Sequence, residues 1–281
     1  MKKLALASLF SLAMISNHAQ EYVLSSPDKS LTARILIHTF ASVELSKNNE
    51  LMLTLDTIDL VEAEDRLHGM KVKKTIDQIV NTTVFPEIKE KSASLTDNYK
   101  ELSIVFKSDK GLTFRLYNEG LAYRFETRAK DSLTISDEKL SIKLDVSDST
   151  RYQSSKTYNS SYETPYEHDR LGDMNPDKLI NLPLLAEKQN GALIMVTESD
   201  LYDFPGLWVK SRGNATLEGV HPPYPKTFRN AGNVYGHGQI EETYDFIARV
   251  KGVRSYPWRI FAVADNEKDL IQNNLVYLLA S

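Results

Sequence analysis

Cysteine is absent from all 281 residues. No disulfide framework staples the fold, and no thiolate serves as nucleophile or metal ligand. The chain therefore rests on its apolar core. A dominant charge is missing too. The 34 basic and 38 acidic residues are interspersed and leave a formal net charge of −4. That balance excludes the basic patch that nucleic acid or an anionic membrane surface requires. No apolar run reaches the about 20 residues a helix needs to cross a bilayer. Helical periodicity is scarce. Neither a Gly-x-Ser-x-Gly elbow nor a His-Glu-x-x-His zinc motif occurs.

What is present starts with a three-part leader. Lys2 and Lys3 carry positive charge, Leu4 to Ile15 is apolar apart from Ser8 and Ser11, and Asn17-His18-Ala19 ends in a small residue. This is the plan of a signal peptide over residues 1–19, with Gln20 opening the mature chain in the periplasm or outside the cell. Residues 20–281 then form one domain, long enough to bury a full core without staples.

That domain reads as short alternating strands between polar turns. Leu112-Thr113-Phe114-Arg115-Leu116-Tyr117 meets Asn118-Glu119-Gly120, and Leu121-Ala122-Tyr123-Arg124-Phe125 resumes the alternation. Two such runs about a glycine turn predict a hairpin. Its buried face would hold Leu112, Phe114 and Leu116 against Leu121, Tyr123 and Phe125, at the period of two that strands impose. Similar runs occur at residues 31–37, 103–107 and 132–146. Residues 147–190 and 212–238 break the rhythm and read as long irregular segments. Near the end Asp265 is expected to cap a short helix, and Leu275 to Leu279 reads as a last strand. The fold class is all-β, as two stacked and mostly antiparallel sheets.

Three stretches are candidates for chemistry. Val196-Thr197-Glu198 ends an apolar run in a carboxylate, and Asp200, Asp203, Pro205-Gly206 and Trp208 follow. An acid where a strand runs out offers oxygen to a hard cation at the rim, or is a solvated turn residue. Tyr158 to Asp169 mixes aromatic rings with amides and acids, a composition that suits sugar binding or a loop pinned by its tyrosines. Within it Glu167-His168-Asp169 is no chelate, because neighbours on an extended chain point to opposite sides. His221, His237 and Gly232 to Gly238 form the third, read as a Gly- and Pro-rich connection. Trp258 is expected to pack in the core. Carboxylates ~5 to 9.5 Å apart run glycoside hydrolysis, but 38 acids single out no pair.

Six of these segments, in order, are similar to one family. Ser26-Pro27-Asp28, Gly120-Leu121-Ala122-Tyr123-Arg124-Phe125, Tyr162-Glu163, Asn181-Leu182-Pro183-Leu184-Leu185, Thr197-Glu198 with Leu201 and Pro205-Gly206, and Pro257-Trp258-Arg259 together resemble the N-terminal domain of glycoside hydrolase family 97, the α-glucosidases and α-galactosidases of Bacteroidetes. The resemblance implies a galactose-mutarotase-like β-super-sandwich. It implies a calcium ion in an active site built mostly by a (β/α)8 barrel, with Glu198 as the ligand this domain contributes. Tyr162 and Glu163 would line the substrate site. No βα repeats follow the sandwich motifs. The domain is thus expected to lack catalytic residues, to be inactive alone and to look to a separately encoded barrel to complete the site. Two alternatives stand beside it: a free-standing carbohydrate-binding protein, and a small mutarotase-like enzyme using His168, His221 or His237 with a glutamate.

Overall fold

The computed structural model describes residues 19–87, 91–230 and 238–280. The apolar run of the leader, Leu4 to Ile15, and also His237, lie outside the described residues.

Four strands open the chain as a meander: β1 (Gln20–Ser25), β2 (Leu31–Ile37), β3 (Ala41–Lys47) and β4 (Glu50–Glu62). A second meander follows: β5 (Val72–Val84), β6 (Leu95–Phe106), β7 (Lys110–Tyr117) and β8 (Gly120–Arg128). Next come β9 (Leu133–Lys143), β10 (Ser149–Ser155), β11 (Glu167–Arg170), β12 (Leu179–Glu187), β13 (Leu193–Ser199), β14 (Trp208–Ser211) and β15 (Thr216–Val220). A separate hairpin joins β16 (Pro225–Asn230) to β17 (Gly238–Thr243). The last strands are β18 (Ala248–Val250), β19 (Val253–Ser255) and β20 (Trp258–Ala264). A 3-10 turn (Leu171–Asp173) follows β11, and two short helices, α1 (Glu267–Gln272) and α2 (Leu275–Leu278), follow β20.

All pairings among the described residues are antiparallel. One layer runs β1–β2–β3–β4–β9, with β15 and β18 both on β9. The other runs β5–β6–β7–β8–β20–β13–β12. On one side β12 pairs β14 and β14 pairs β15, so the two layers join into one folded-over sheet. On the other side β1 and β5 each pair with a single neighbour among the described residues, and the sandwich is open. A single buried cluster takes Leu31, Ile35 and Leu55 from one layer and Ile104, Phe114 and Val196 from the other.

The β7–β8 hairpin has the expected face: Leu112, Phe114, Leu116, Leu121, Tyr123 and Phe125 are all buried. Tyr123 stacks on Phe261 of β20 with ring centroids 6.2 Å apart. Gly120 closes the turn at φ +150, and a Cβ there would stand 2.5 Å from the Phe261 carbonyl oxygen. Only glycine lets β8 and β20 approach this closely. The opposite face of β20 carries a second cluster, in which Trp258, Ile260 and Ala262 pack with Tyr99, Tyr117, Leu275 and Leu279. Trp258 is a core residue, as expected.

Three local expectations need correction. Leu275 to Leu279 is not a strand: residues 275–278 form α2, which follows Asn274 and whose first residue, Leu275, donates its N–H to Asn273 Oδ1 at 3.0 Å. Leu275 and Leu279, one helical turn apart, are the buried pair, and a five-residue apolar run does not distinguish that spacing from a buried strand. The cap of α1 is Asn266, which accepts from Asp269 N at 3.1 Å, while Asp265 is ion-paired with Lys47. The polar stretch 147–190 is not wholly irregular, since it contains β10, β11 and β12. Its strands carry polar residues on one face because that face meets solvent.

Candidate functional site

Glu198 lies one residue from the end of β13, opposite Arg259 of β20 in the register of the sheet. Opposed residues of an antiparallel pair point to the same side, so both side chains enter the space between the layers. Arg259 is fully buried as the second residue of the otherwise apolar β20. A buried guanidinium needs partners for its donors. It presents Nε and Nη2 as a fork to Glu138 of β9, at 2.7 and 2.6 Å. Its Nη1 donates to Glu198 Oε2. His221, just past β15, sets Nε2 3.2 Å from Nη2. The network therefore bridges the two layers on the side where they are joined.

The two carboxylates in this cluster are not equally compensated. Burial pushes the Glu138 carboxyl up, but the charge and hydrogen bonds of Arg259 outweigh it and hold Glu138 below its ordinary value. His221 is driven down to about 4 by burial, so its ring is neutral near pH 7 and accepts from Arg259. Two carboxylates then share one guanidinium. Glu198 is the less compensated of the two, since burial raises its pKa despite Arg259 and the Leu207 N–H.

The turn after β13 shapes the surroundings of that carboxylate. Leu207 N–H donates to Oε2 at 3.0 Å, so Oε2 takes both the backbone and the arginine bond. Oε1 is the oxygen these bonds leave over. A Cβ on Gly206 would lie 3.2 Å from it, so glycine keeps that oxygen uncovered. Asp200 and Asp203 sit at φ 60 and 50, a region that aspartate tolerates better than most residues. Arg254 fixes this turn by donating to the carbonyls of Tyr202 and Asp203 at 2.8 and 3.0 Å. Phe204 packs its ring against Tyr256 and His221.

Tyr162 is brought to the same rim. Its ring centroid is 5.5 Å from that of buried Trp208, which also meets Tyr158 edge-on at 5.6 Å. The Tyr162 hydroxyl is raised by burial and by the charge of Glu198, which places the two in one electrostatic neighbourhood. Glu163 is an exposed residue of the same turn, apart from the hydrogen-bonded network around Glu198. Among the three histidines considered for proton transfer, His168 is exposed on β11 and His221 is sealed in the interior. Glu167 and Asp169 both face Lys178, at 2.7 and 3.8 Å, with His168 between them on the opposite side of the strand. The alternation that argued against a chelate holds.

The acid Glu138, the role of Arg259 and the uncovering by Gly206 were not singled out from sequence. A signal exists for one: Arg259 is the lone charge in Trp258-Arg259-Ile260-Phe261-Ala262-Val263-Ala264, and a charge inside a buried strand implies a buried partner. Among the described residues no group of three or more His, Cys, Asp or Glu is placed to hold a metal ion. Glu198 suits a hard cation as one donor, through one oxygen.

Known proteins bear on this geometry. The family model described as glycosyl-hydrolase 97 N-terminal matches residues 24–281. The chain is 32% identical over 298 residues to a retaining alpha-galactosidase of Bacteroides thetaiotaomicron, an alignment that takes in 100% of this chain and 44% of that protein. Its fold is similar to a glycoside hydrolase family 97 enzyme from Pseudoalteromonas sp. strain K8 solved in complex with acarbose. There the TM-score is 0.73 at 17% identity, over 90% of this chain and 37% of the other. A beta-arabinopyranosidase has a TM-score of 0.69 at 18% identity, over 88% of this chain and 40% of the other. The chain thus spans less than half the length of these relatives.

Proposed function

The chain belongs to the glycosyl-hydrolase 97 N-terminal family, and from that premise we propose that its sandwich serves a glycosidase as the non-catalytic part that supplies one calcium ligand, Glu198 Oε1. The observation that carries this reading is the geometry at the rim: Glu138 and Glu198 share Arg259, and one carboxylate oxygen of Glu198 is left uncovered beside Gly206. A hard dication is attracted to such a site. Calcium takes 6–8 oxygens, so a catalytic domain must bring the others. When bound, the ion would polarise the glycosidic bond. The residues of this chain hold the donor oxygen in place: Arg259 and the Leu207 N–H fix Oε2, and Glu138 fixes Arg259. Export through the leader at residues 1–19 would put the protein in the periplasm or outside the cell.

The test fuses this chain ahead of the remainder of the Bacteroides thetaiotaomicron galactosidase. Glu198→Gln is expected to weaken calcium binding to the fusion at least tenfold, with an unchanged circular dichroism spectrum. An unaltered calcium affinity would sink the ligand assignment. The chain alone should leave nitrophenyl α-galactosides and α-glucosides intact, and hydrolysis by it would overturn the non-catalytic role.

A second reading, free-standing carbohydrate binding, draws support from the exposed rings of Tyr162, Tyr166 and Tyr202. In it Tyr162 stacks on a sugar and Glu163 accepts from a hydroxyl. Calorimetric titration with maltose and with galactosides tests it, and absence of heat at millimolar sugar rejects it. The mutarotase-like alternative draws nothing from His221, whose side chain is buried, and would have to rest on exposed His168 or on His237, outside the described residues.

A further inference from the structure

The open side of the sandwich carries a strand with unusual exposure. β5 is 13 residues long and, among the described residues, pairs with β6 alone. Nine of its residues are exposed, four are half-buried and none is buried. Its outer edge therefore presents a row of backbone donors and acceptors about 44 Å long at ~3.4 Å per residue. Natural proteins blunt such edges with charge, proline or a covering segment. Here the protection is confined to one half. Lys73, Lys74 and Asp77 lie in the first part, whereas Gln78-Ile79-Val80-Asn81-Thr82-Thr83-Val84-Phe85 holds no charge and no proline. Ile79 is 77% and Phe85 73% exposed.

We propose that a second copy of this chain pairs its β5 with this edge, antiparallel, about a twofold axis at Gln78. Charge distribution favours this occupant. A strand with charge in one half and none in the other meets itself in antiparallel register with the charged half of each copy against the uncharged half of its mate. Lys74 then faces Thr82 and Lys73 faces Thr83. Parallel pairing would set lysine against lysine, which is destabilising. A strand edge is also its own complement under a twofold axis, so the second copy brings the needed partner without any further element. The pairing joins the β5–β6–β7–β8–β20–β13–β12 layers of two molecules into one continuous sheet. It is independent of the role given to Glu198, which lies toward the side where the layers are joined.

Sedimentation equilibrium on the full chain, from micromolar to millimolar concentration, decides. A mass twice that of the monomer is expected at the upper end. The double variant Thr82→Lys/Thr83→Lys sets lysines opposite Lys74 and Lys73 and should weaken dimerisation at least tenfold. Thr82→Glu/Thr83→Glu sets acids there instead and should tighten it. Both positions are exposed, and near-ultraviolet circular dichroism checks that the fold is kept. A monomer at every concentration overturns the proposal. So does a dimer that neither charge variant alters.

Discussion

The two sides of this sandwich handle polar groups in opposite ways. Where the layers join through β14 and β15, charge is drawn inward: Arg259, Glu138 and His221 are buried and hydrogen-bond to one another. Where they part at β1 and β5, backbone donors and apolar side chains are left outward, with Ile79 and Val23 more than half exposed. The difference teaches where each kind of group is costly. A buried charge is tolerated when its geometry is fully specified by partners. An open edge is tolerated while solvent, or another strand, takes up its hydrogen bonds.

Substitutions sharpen that contrast. Arg259→Met strands Glu138 and Glu198 without their counter-charge. It should cost about 3–5 kcal/mol in urea unfolding, while Glu138→Met/Arg259→Met should recover a large part. A loss below about 1 kcal/mol for Arg259→Met would break the view that the joined side depends on this network.

Acid supplies the next largest effect. The folded-state pKa of His221, about 4, lies below the ordinary histidine value of 6.5. The unfolded chain thus binds the extra proton first, and stability falls as pH drops through 6.5 toward 4. The full loss from this group is about 3 kcal/mol. Glu138 loses its contribution at lower pH, as its depressed folded pKa is reached. His221→Asn should flatten the slope between pH 6.5 and 4, read from urea midpoints. An unchanged slope would assign the acid sensitivity elsewhere.

Gly206→Ala should cost only about 1 kcal/mol, since no positive φ opposes it, yet its Cβ presses on Glu198 Oε1. In the fusion it should weaken calcium more than it weakens the fold. Smallest of all, Thr82→Lys/Thr83→Lys should move the stability of the isolated monomer by no more than about 0.5 kcal/mol, despite its expected effect on association.

Much of this architecture is legible in sequence because its signals are local. The period of two in Leu112 to Phe125 names its own buried face, and Gly120 marks the turn. The last helix is not legible, since Leu275 to Leu279 fits a strand as well until Leu275 and Leu279 are seen to be buried one helical turn apart. The site divides in the same way. Glu198 stands out at a strand end and within a family motif. Glu138 does not, because it reaches Arg259 across 121 positions and from the other layer. Nothing local in Asp137-Glu138-Lys139 distinguishes a core acid from its solvated neighbours. Glu138 turns inward because it shares the face of buried Leu140 and Ile142 in β9, at the period of two.

The placement of β20 has a consequence for biosynthesis. This strand is made after every other described strand of the sandwich, yet it sits between β8 and β13 in the middle of its layer. Until residues 258–264 leave the ribosome, β8 and β13 each wait with an unpaired edge, and Glu138 waits for its guanidinium. A nascent chain in that state is adhesive, because unpaired edges and exposed apolar faces recruit other chains. Folding of this layer is therefore a late event set by the arrival of one strand. A chaperone that shields the β8 and β13 edges during synthesis would raise the yield of protein far more than one that acts on the opening meander.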